Sequence, residues 1–170
     1  MSIKNLINNY NEKRSGVFVG ENHRLESIRN ANIGLKKKDE NNQTSRMEDY
    51  LEVIYELVQS KGYATTVDIS KYLNVSSPSV TKMTQRLDEM GLLIYEKYRG
   101  IKLTENGKKI ALSIRNKHNL LSELFKLIGV NEDTANNDIE KLEHHLHERS
   151  IQKLKKLINI IKEKPNILED

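Results

Sequence analysis

Carboxylates and histidines are concentrated in one stretch of the C-terminal third of the chain, with a spacing that suits metal binding. In residues 137–147, Glu140, Glu143 and His144 are separated by three and four positions. A helix places residues at this spacing on one face. Because the chain has no cysteine, such a site must use carboxylate oxygen and imidazole nitrogen, donors that suit Mn(II) or Fe(II) better than a thiolate-loving ion.

The same helix face would also carry His147, because the four side chains fall within about 100° of one another on a helical wheel. Two neighbouring glutamates repel each other, and a bound divalent cation would relieve that repulsion. The spacing leaves a second interpretation open, in which this face is the polar shoulder of an ordinary surface helix.

Length and composition predict a globular, mainly helical protein. The chain has 170 residues, of which 36% are hydrophobic and 31% charged. It has neither a run of eighteen apolar residues nor an N-terminal secretion signal, so we expect no membrane association and a cytoplasmic location. Net charge is +3 over residues 45–117 and −2 over residues 118–170. A basic middle suits phosphate and an acidic last third suits a cation.

The chain divides into four parts by pattern. Residues 1–44 are polar and are predicted to be mostly disordered. From Ser45, which with Glu48 resembles a capping box, apolar spacing predicts a helix over residues 46–60. A long helix is predicted from Thr104 to Gly129, and two more over residues 138–147 and 150–162. We therefore predict one domain over 45–109, a helical domain over 110–162 and a tail over 163–170.

Residues 66–104 have the layout of a winged helix-turn-helix. A short helix (66–73) is followed by a turn (74–76) and by a second helix with Ser77 as N-cap and Pro78 at its first position. Two β-prone runs, 92–98 and 101–104, are joined by Arg99 and Gly100, which predicts a hairpin wing. The second helix of such a motif enters the major groove of DNA.

The predicted DNA-contacting residues lie on the outer face of that second helix and at the hairpin tip. The inner face would use Val80, Met83, Leu87 and Met90. Gln and Arg can pair with base edges, whereas Ser, Thr and Lys mostly anchor phosphates. An ordinary solvated helix could have the same outer face, but its combination with a basic hairpin favours DNA binding. The predicted set is Ser77, Pro78, Ser79, Thr81, Lys82, Gln85, Arg86, Lys97 and Arg99.

Three further polar residues are inconspicuous by spacing alone. His118 lies on the apolar stripe of the long helix, where a lone histidine is usually a hydrogen-bonded core residue. Asp49 and Glu52 lie opposite the apolar stripe of the first helix and suit its positive N-terminal end.

Five motifs give the chain a family resemblance. They begin at Met47 (Met-Glu-Asp-Tyr-Leu-Glu), Ser79 (Ser-Val-Thr-Lys-Met), Leu93 (Leu-Ile-Tyr-Glu-Lys-Tyr-Arg-Gly), Leu103 (Leu-Thr-x-x-Gly-Lys-Lys) and Asn137 (Asn-Asp-Ile-Glu-x-x-Glu-His-His-Leu). In combination they resemble the diphtheria-toxin-repressor family, and more narrowly its manganese transport regulator branch. The resemblance covers residues 46–161, and residues 1–44 have no counterpart in it.

The resemblance implies a homodimeric, metal-activated repressor that binds a double-stranded DNA operator of metal-uptake genes. It implies a mainly α fold, with a winged helix-turn-helix domain and a helical domain for metal binding and dimerisation. The implied metal ligands are Asp49, Glu52, His118, Glu140, Glu143 and His144. Iron-type members have sulfur ligands where this chain has Asp49 and Glu140. The two carboxylates favour Mn(II) over Fe(II). A cluster of two Mn(II) ions is a further expectation.

His147 departs from the family pattern, and we expect it to be an accessory group at the metal site. Two alternatives stay open. One is a winged-helix regulator that responds to Fe(II) or to no metal. The other, a carboxylate-bridged metalloenzyme, is disfavoured because the chain lacks the Glu-x-x-His motif of such enzymes.

Overall fold

The protein is seen in a computed structural model that describes residues 24–26, 28–29, 43–96 and 100–164. Its named elements are α1 (Gln43–Lys61), α2 (Thr66–Leu73), α3 (Ser77–Glu89), β1 (Leu93–Glu96), β2 (Gly100–Leu103), α4 (Glu105–Leu127), α5 (Glu132–Leu142) and α6 (Glu148–Glu163). The described residues form two compact units that divide within α4: those up to residue 115 make up the first, and residues 116–164 the second.

Helix α1 is the centre of the first unit. Eight consecutive residues, Tyr50–Leu57, are buried, and the apolar ones belong to one core cluster that also contains side chains from α2, α3 and both strands. The helix begins at Gln43, so Ser45 lies inside it and the predicted capping box is wrong. A helix buried on all sides needs partners all round it, and one of these comes from upstream.

That upstream partner is a helical segment, residues 24–26 and 28–29, called here the N-terminal segment. Leu25 and Ile28 are each 2% exposed and belong to the same core cluster as α1. Burying two such side chains contributes roughly 3–6 kcal/mol before the cost of ordering the segment. For these five residues the structure therefore shows a packed helix where the polar composition predicted disorder. The other residues of the predicted disordered arm, apart from Gln43 and Thr44 in α1, lie outside the described ranges.

Helices α2 and α3 form the predicted helix-turn-helix. Thr65 and Asp68 cap α2 reciprocally, each side chain accepting from the other residue's backbone N–H. Burial raises the pKa of Asp68, but hydrogen bonds from the Lys61 and Thr65 side chains and the Lys61 charge outweigh it, so the pKa lies below its ordinary value. Helix α2 ends at Leu73, and its C-cap Asn74 has a left-handed backbone (φ 52°) that turns the chain towards α3. The N-cap of α3 is Ser76, one residue before the predicted Ser77.

The predicted hairpin wing is present. Strands β1 and β2 are antiparallel, with Leu93 opposite Leu103. The predicted tip residues Lys97 and Arg99 lie outside the described residues. Gly100 begins β2 with a φ of 89°, and a Cβ there would lie 2.6 Å from the backbone oxygen of Ala64. Ala64 exchanges two backbone hydrogen bonds with Ile101, at 3.0 and 2.9 Å, so the glycine lets the α1–α2 connection pair with the wing.

The entry into α4 depends on two residues of the Leu103 motif. The Thr104 hydroxyl accepts a hydrogen bond from the backbone N–H of Gly107 at 3.1 Å, which confirms Thr104 as a cap. A Cβ on Gly107 would lie 2.2 Å from the Leu92 carbonyl oxygen. Only glycine therefore permits this close approach of the helix to the backbone that leads into β1.

The second unit packs α5 and α6 with the C-terminal part of α4. One apolar cluster centres on Leu127, Ile158 and Ile161, and another on Leu121, Ala135 and Ile139. Lys162 forms an ion pair with Glu123. Within the described ranges, no helix is both long enough and apolar enough to span a membrane.

Helix α5 is shifted towards the N-terminus relative to the prediction of residues 138–147. Asn131 caps it by accepting from the Thr134 N–H at 2.9 Å, and it ends at Leu142 with Glu143 as C-cap. The apolar spacing after Asn131 is too weak to predict that a helix begins there. The predicted helix through His147 is therefore wrong, because His147 is the N-cap of α6.

Candidate metal centre and DNA-contact surface

Three predicted ligands meet in the second unit. His118 on α4 lies with its Nδ1 atom 2.8 Å from Oε2 of Glu143 and 3.7 Å from Oε1 of Glu140. The Glu143 side chain is fully buried, and those of His118 and Glu140 are 8% and 9% exposed. Helix packing thus brings together residues 25 positions apart in the sequence.

The three side chains have the geometry of a metal site. One ligand atom from each lies within 4.8 Å of the others. Hard divalent cations hold oxygen ligands at about 2.0–2.6 Å, so two ligands on opposite sides of one ion are about 4–5 Å apart. Two buried carboxylates are costly unless a cation balances them. The donor set, two carboxylates and one imidazole, therefore fits a hard or intermediate divalent ion such as Mn(II).

His144 lies at the edge of this cluster. Its Nε2 atom is 3.7 Å from Oε1 of Glu143, and its side chain is 7% exposed. It belongs to the turn that follows α5, so the single helix face predicted for these residues becomes a helix end plus a turn. His147 is exposed, and its Nδ1 accepts from the backbone N–H of Arg149 at 3.1 Å. His147 thus caps α6, and its expected accessory role at the metal site stays a prediction.

The other two predicted ligands, Asp49 and Glu52, lie on α1 in the first unit. The sequence placed Glu52 opposite the apolar stripe of the helix, but its side chain is buried, with 1% exposure. Its Oε1 atom accepts from Nε of Arg24 at 2.8 Å and lies 2.7 Å from Nη2 of the same residue. Asp49 is half-buried. Burial raises the pKa of the neighbouring Tyr50, the charge of Arg46 opposes this without cancelling it, and the negative charge of Asp49 adds to the rise.

Sequence reasoning missed a second buried carboxylate one turn along α1. Glu56 is 0% exposed, and its Oε1 lies 3.4 Å from Nε of Arg115. The Arg115 guanidinium also lies over the Tyr55 ring, 5.6 Å from its centroid. The spacing of four between Glu52 and Glu56 was visible in the sequence, but only the fold shows that each buried glutamate has an arginine partner.

The predicted DNA-contacting face of α3 is open to solvent. All seven predicted residues on this helix are exposed, whereas Val80, Thr84 and Leu87 are buried. Met90, predicted to point inward, is 52% exposed, because the helix ends at Glu89 and Met90 is its C-cap. The exposed set is Ser77, Pro78, Ser79, Thr81, Lys82, Gln85 and Arg86.

A hydrogen bond that the sequence did not reveal joins the wing to α3. The hydroxyl of Tyr95, on β1, donates to Oγ1 of Thr84 at 2.6 Å. Thr84 is fully buried, and its own hydroxyl donates to the carbonyl of Val80 at 3.0 Å. This hydrogen bond links α3 to the wing, the two parts of the predicted DNA-contact surface.

Comparison with known proteins identifies a DNA-binding domain and a metal-binding and dimerisation domain. Residues 42–101 match the family model of the iron-dependent repressor N-terminal DNA-binding domain, and residues 104–170 match that of the iron-dependent repressor metal-binding and dimerisation domain. The HTH-type transcriptional regulator MntR of Lysinibacillus sphaericus is 44% identical over 126 residues, covering 74% of this chain and 91% of the relative. MntR of Bacillus subtilis is 48% identical over 120 residues, covering 71% and 84%.

A solved structure of the manganese regulator SloR has a similar fold. The TM-score is 0.60 at 29% sequence identity, and the match covers 66% of this chain and 53% of the SloR chain. This chain thus spans about half the length of that structure, but most of the length of its curated relatives. The matches confirm the resemblance read from the five motifs, and the chain belongs to the iron-dependent, or diphtheria-toxin, repressor family of DNA-binding transcriptional regulators.

Proposed function

We propose that this protein is a manganese-activated transcriptional repressor, acting in the cytoplasm as a homodimer on operators of metal-uptake genes. The observation that carries the proposal is the buried cluster of His118, Glu140 and Glu143, whose ligand atoms lie within 4.8 Å of one another. The choice of metal is supported by the similarity to MntR of L. sphaericus and B. subtilis and to SloR, which is a manganese regulator.

His118, Glu140, Glu143 and His144 are the proposed ligands in the second unit. Asp49 and Glu52 are proposed, by family resemblance, to complete the coordination from the first unit, and a binuclear Mn(II) cluster is the fuller form of this proposal. The bound ion supplies positive charge to carboxylates that otherwise repel one another. Because the ligands come from both units, metal binding restricts the orientation of the recognition helices and so favours the DNA-binding state.

The proposed DNA surface combines α3 with the wing. Gln85 and Arg86 are suited to base edges, and Ser77, Ser79, Thr81 and Lys82 to phosphates, with Pro78 starting the helix. Lys97 and Arg99 are proposed to contact the backbone or minor groove. A dimer would present two such surfaces to half-sites spaced by roughly 34 Å, one turn of DNA.

Operator binding with and without metal tests the proposal. A duplex selected from a random-sequence library in the presence of Mn(II) serves as probe, and fluorescence anisotropy measures affinity in EDTA and in Mn(II). We expect Mn(II) to tighten binding at least about tenfold, the usual size of coupling between sites. Equal affinity in EDTA would contradict the mechanism.

Two histidine variants give a matched control for the metal site. His118→Ala should lose the response to Mn(II), because it removes the imidazole at the centre of the buried cluster. His145→Ala should keep the response, because His145 is exposed and lies outside the cluster. If both variants respond like the wild type, the proposed ligand set is wrong.

Fe(II) is the second candidate metal, because both matching domain models describe iron-dependent repressors. Carboxylate and imidazole donors bind both ions, and intrinsic affinity rises from Mn(II) to Fe(II). Anaerobic titration with Fe(II) in the same assay separates the two possibilities. Tighter operator binding in Fe(II) than in Mn(II), at equal occupancy, would replace manganese by iron in the proposal.

A further inference from the structure

Arg24 forms a buried ion pair with Glu52, one of the proposed metal ligands. Arg24 is 6% exposed and Glu52 is 1% exposed, and two guanidinium nitrogens lie 2.8 and 2.7 Å from the same carboxylate oxygen. Arg24 lies upstream of residue 42, where the matched family domains begin. The arginine is therefore supplied by a part of this chain that the family models do not cover.

A guanidinium and a metal ion compete for this oxygen. A carboxylate oxygen offers about two lone-pair directions; Oε1 accepts a hydrogen bond from Nε of Arg24 at 2.8 Å, and Nη2 of the same guanidinium lies 2.7 Å away. The guanidinium keeps its positive charge at any physiological pH, so it also repels a divalent cation in a buried setting where screening is weak. A metal ion that binds this oxygen therefore competes with Arg24 for it.

The segment that carries Arg24 is held in place by more than the ion pair. Leu25 and Ile28 are each 2% exposed and pack in the same core cluster as Leu51 and Ile54 of α1. This apolar anchor keeps the guanidinium at a high local concentration next to Glu52, in the way that a tether favours an intramolecular contact.

We propose that the N-terminal segment is an intramolecular competitor for the metal site, in which the Arg24 guanidinium takes the place of a cation on Glu52. The inference rests on the proposed function, since it takes Glu52 to be a metal ligand. Its consequence is a higher metal threshold, because the apparent dissociation constant for the metal is inversely proportional to the population in which Arg24 is undocked. Metal binding and docking of the segment then oppose each other reciprocally.

Mn(II) binding by the full chain tests the proposal directly, with free Mn(II) measured by its electron paramagnetic resonance signal. We expect Arg24→Gln to bind Mn(II) at least about tenfold more tightly than the wild type, because it removes a competing charge-assisted hydrogen bond. Arg29→Gln is the matched control, since it removes the same charge from an exposed position of the same segment, and it should bind as the wild type does.

A second background tests whether the effect passes through Glu52. In a Glu52→Gln protein the further change Arg24→Gln should leave Mn(II) affinity unaltered, because the contested carboxylate is already absent. A tenfold effect that persists in this background would overturn the proposal, as would equal or weaker Mn(II) binding by Arg24→Gln in the wild-type background.

Hydrogen–deuterium exchange of the unmodified chain gives a measurement that does not depend on how the variants fold. Mn(II) should speed exchange in a peptide covering residues 24–29, and increased protection there would overturn the proposal. The result is separable from the proposed function. If the wild type binds Mn(II) and Arg24→Gln has the same affinity, only the inference fails. If no variant binds Mn(II), the proposed function fails as well.

Discussion

Loss of the hydrogen bond from Tyr95 to Thr84 should lower the free energy of unfolding by an amount that can be estimated from its chemistry and exposure. Tyr95→Phe removes the donor, while the Thr84 hydroxyl keeps its own bond to the Val80 carbonyl. The lost bond joins two neutral groups at 2.6 Å, and Tyr95 is 48% exposed. A neutral hydrogen bond contributes about 0.5–1.5 kcal/mol, and partial exposure favours a value near the middle of that range, about 1 kcal/mol.

The assay is a double-mutant cycle in urea, with the full chain in EDTA. Tyr95→Phe, Thr84→Val and the double variant are compared with the wild type by the free energy of unfolding. Non-interacting sites add to within about 0.3–0.5 kcal/mol, so the expected coupling of about 1 kcal/mol is measurable. Tyr63→Phe is the matched control, because Tyr63 belongs to the same unit and is 43% exposed; its loss of a hydroxyl should cost less than about 0.5 kcal/mol.

Operator affinity adds a functional readout to the same cycle. If the bond holds the wing against the recognition helix, Tyr95→Phe should weaken DNA binding by about fivefold, the equivalent of about 1 kcal/mol. Additive free energies of unfolding in the cycle, together with unchanged operator affinity, would refute the reasoning that this contact ties wing to helix.

Three further outcomes are expected. Gly100→Ala should destabilise the first unit by about 1–2 kcal/mol more than Gly62→Ala in urea unfolding. Both glycines have positive φ, but of the two only Gly100 has a backbone oxygen within contact distance of the added Cβ. Equal losses of stability would count against the close approach. The pKa of Asp68 is lowered in the folded protein, so its stabilising contribution is present above the pKa of the unfolded state and is lost as pH falls through the pKa of the folded state. The wild type should therefore be more stable than Asp68→Asn by up to about 1 kcal/mol. This difference in the free energy of unfolding should shrink below about pH 4 and stay constant between pH 6 and 8. Arg86→Ala, at an exposed α3 position, should weaken operator binding by about 1–3 kcal/mol and relax base preference at one operator position, whereas Lys71→Ala on the exposed part of α2 should alter binding by less than about 1 kcal/mol.

Much of the first unit could be predicted because its signals are local. The helix-turn-helix follows from a short helical stretch, a turn and a Ser-Pro helix start, each of which acts over a few residues. The errors are also local. The cap of α3 is Ser76 instead of Ser77, and Met90 is exposed because the helix stops before it. Thr84 is buried although it was not among the predicted inner-face residues, and its hydroxyl donates to the backbone carbonyl of Val80.

The metal centre was predictable only in part from residues. The spacing of Glu140, Glu143 and His144 indicated a ligand set, but the expected single helix face is a helix end followed by a turn. On an ideal helical wheel His147 lies on the same face as these residues, but it is outside the actual helix because α5 ends at Leu142. The inclusion of His118 came from family resemblance, and the packing of α4 against α5 places it 2.8 Å from Glu143.

The sequence by itself determined the types of donor available, the absence of thiolates and the order of helices and strands, because composition and short-range backbone preferences are fixed by neighbouring residues. Tertiary structure alone decided that Arg24 meets Glu52, that Tyr95 meets Thr84 and that His118 meets Glu143. These pairs are 28, 11 and 25 residues apart. No periodicity extends over such distances, and the contacts form only when packing of apolar side chains brings separate elements together.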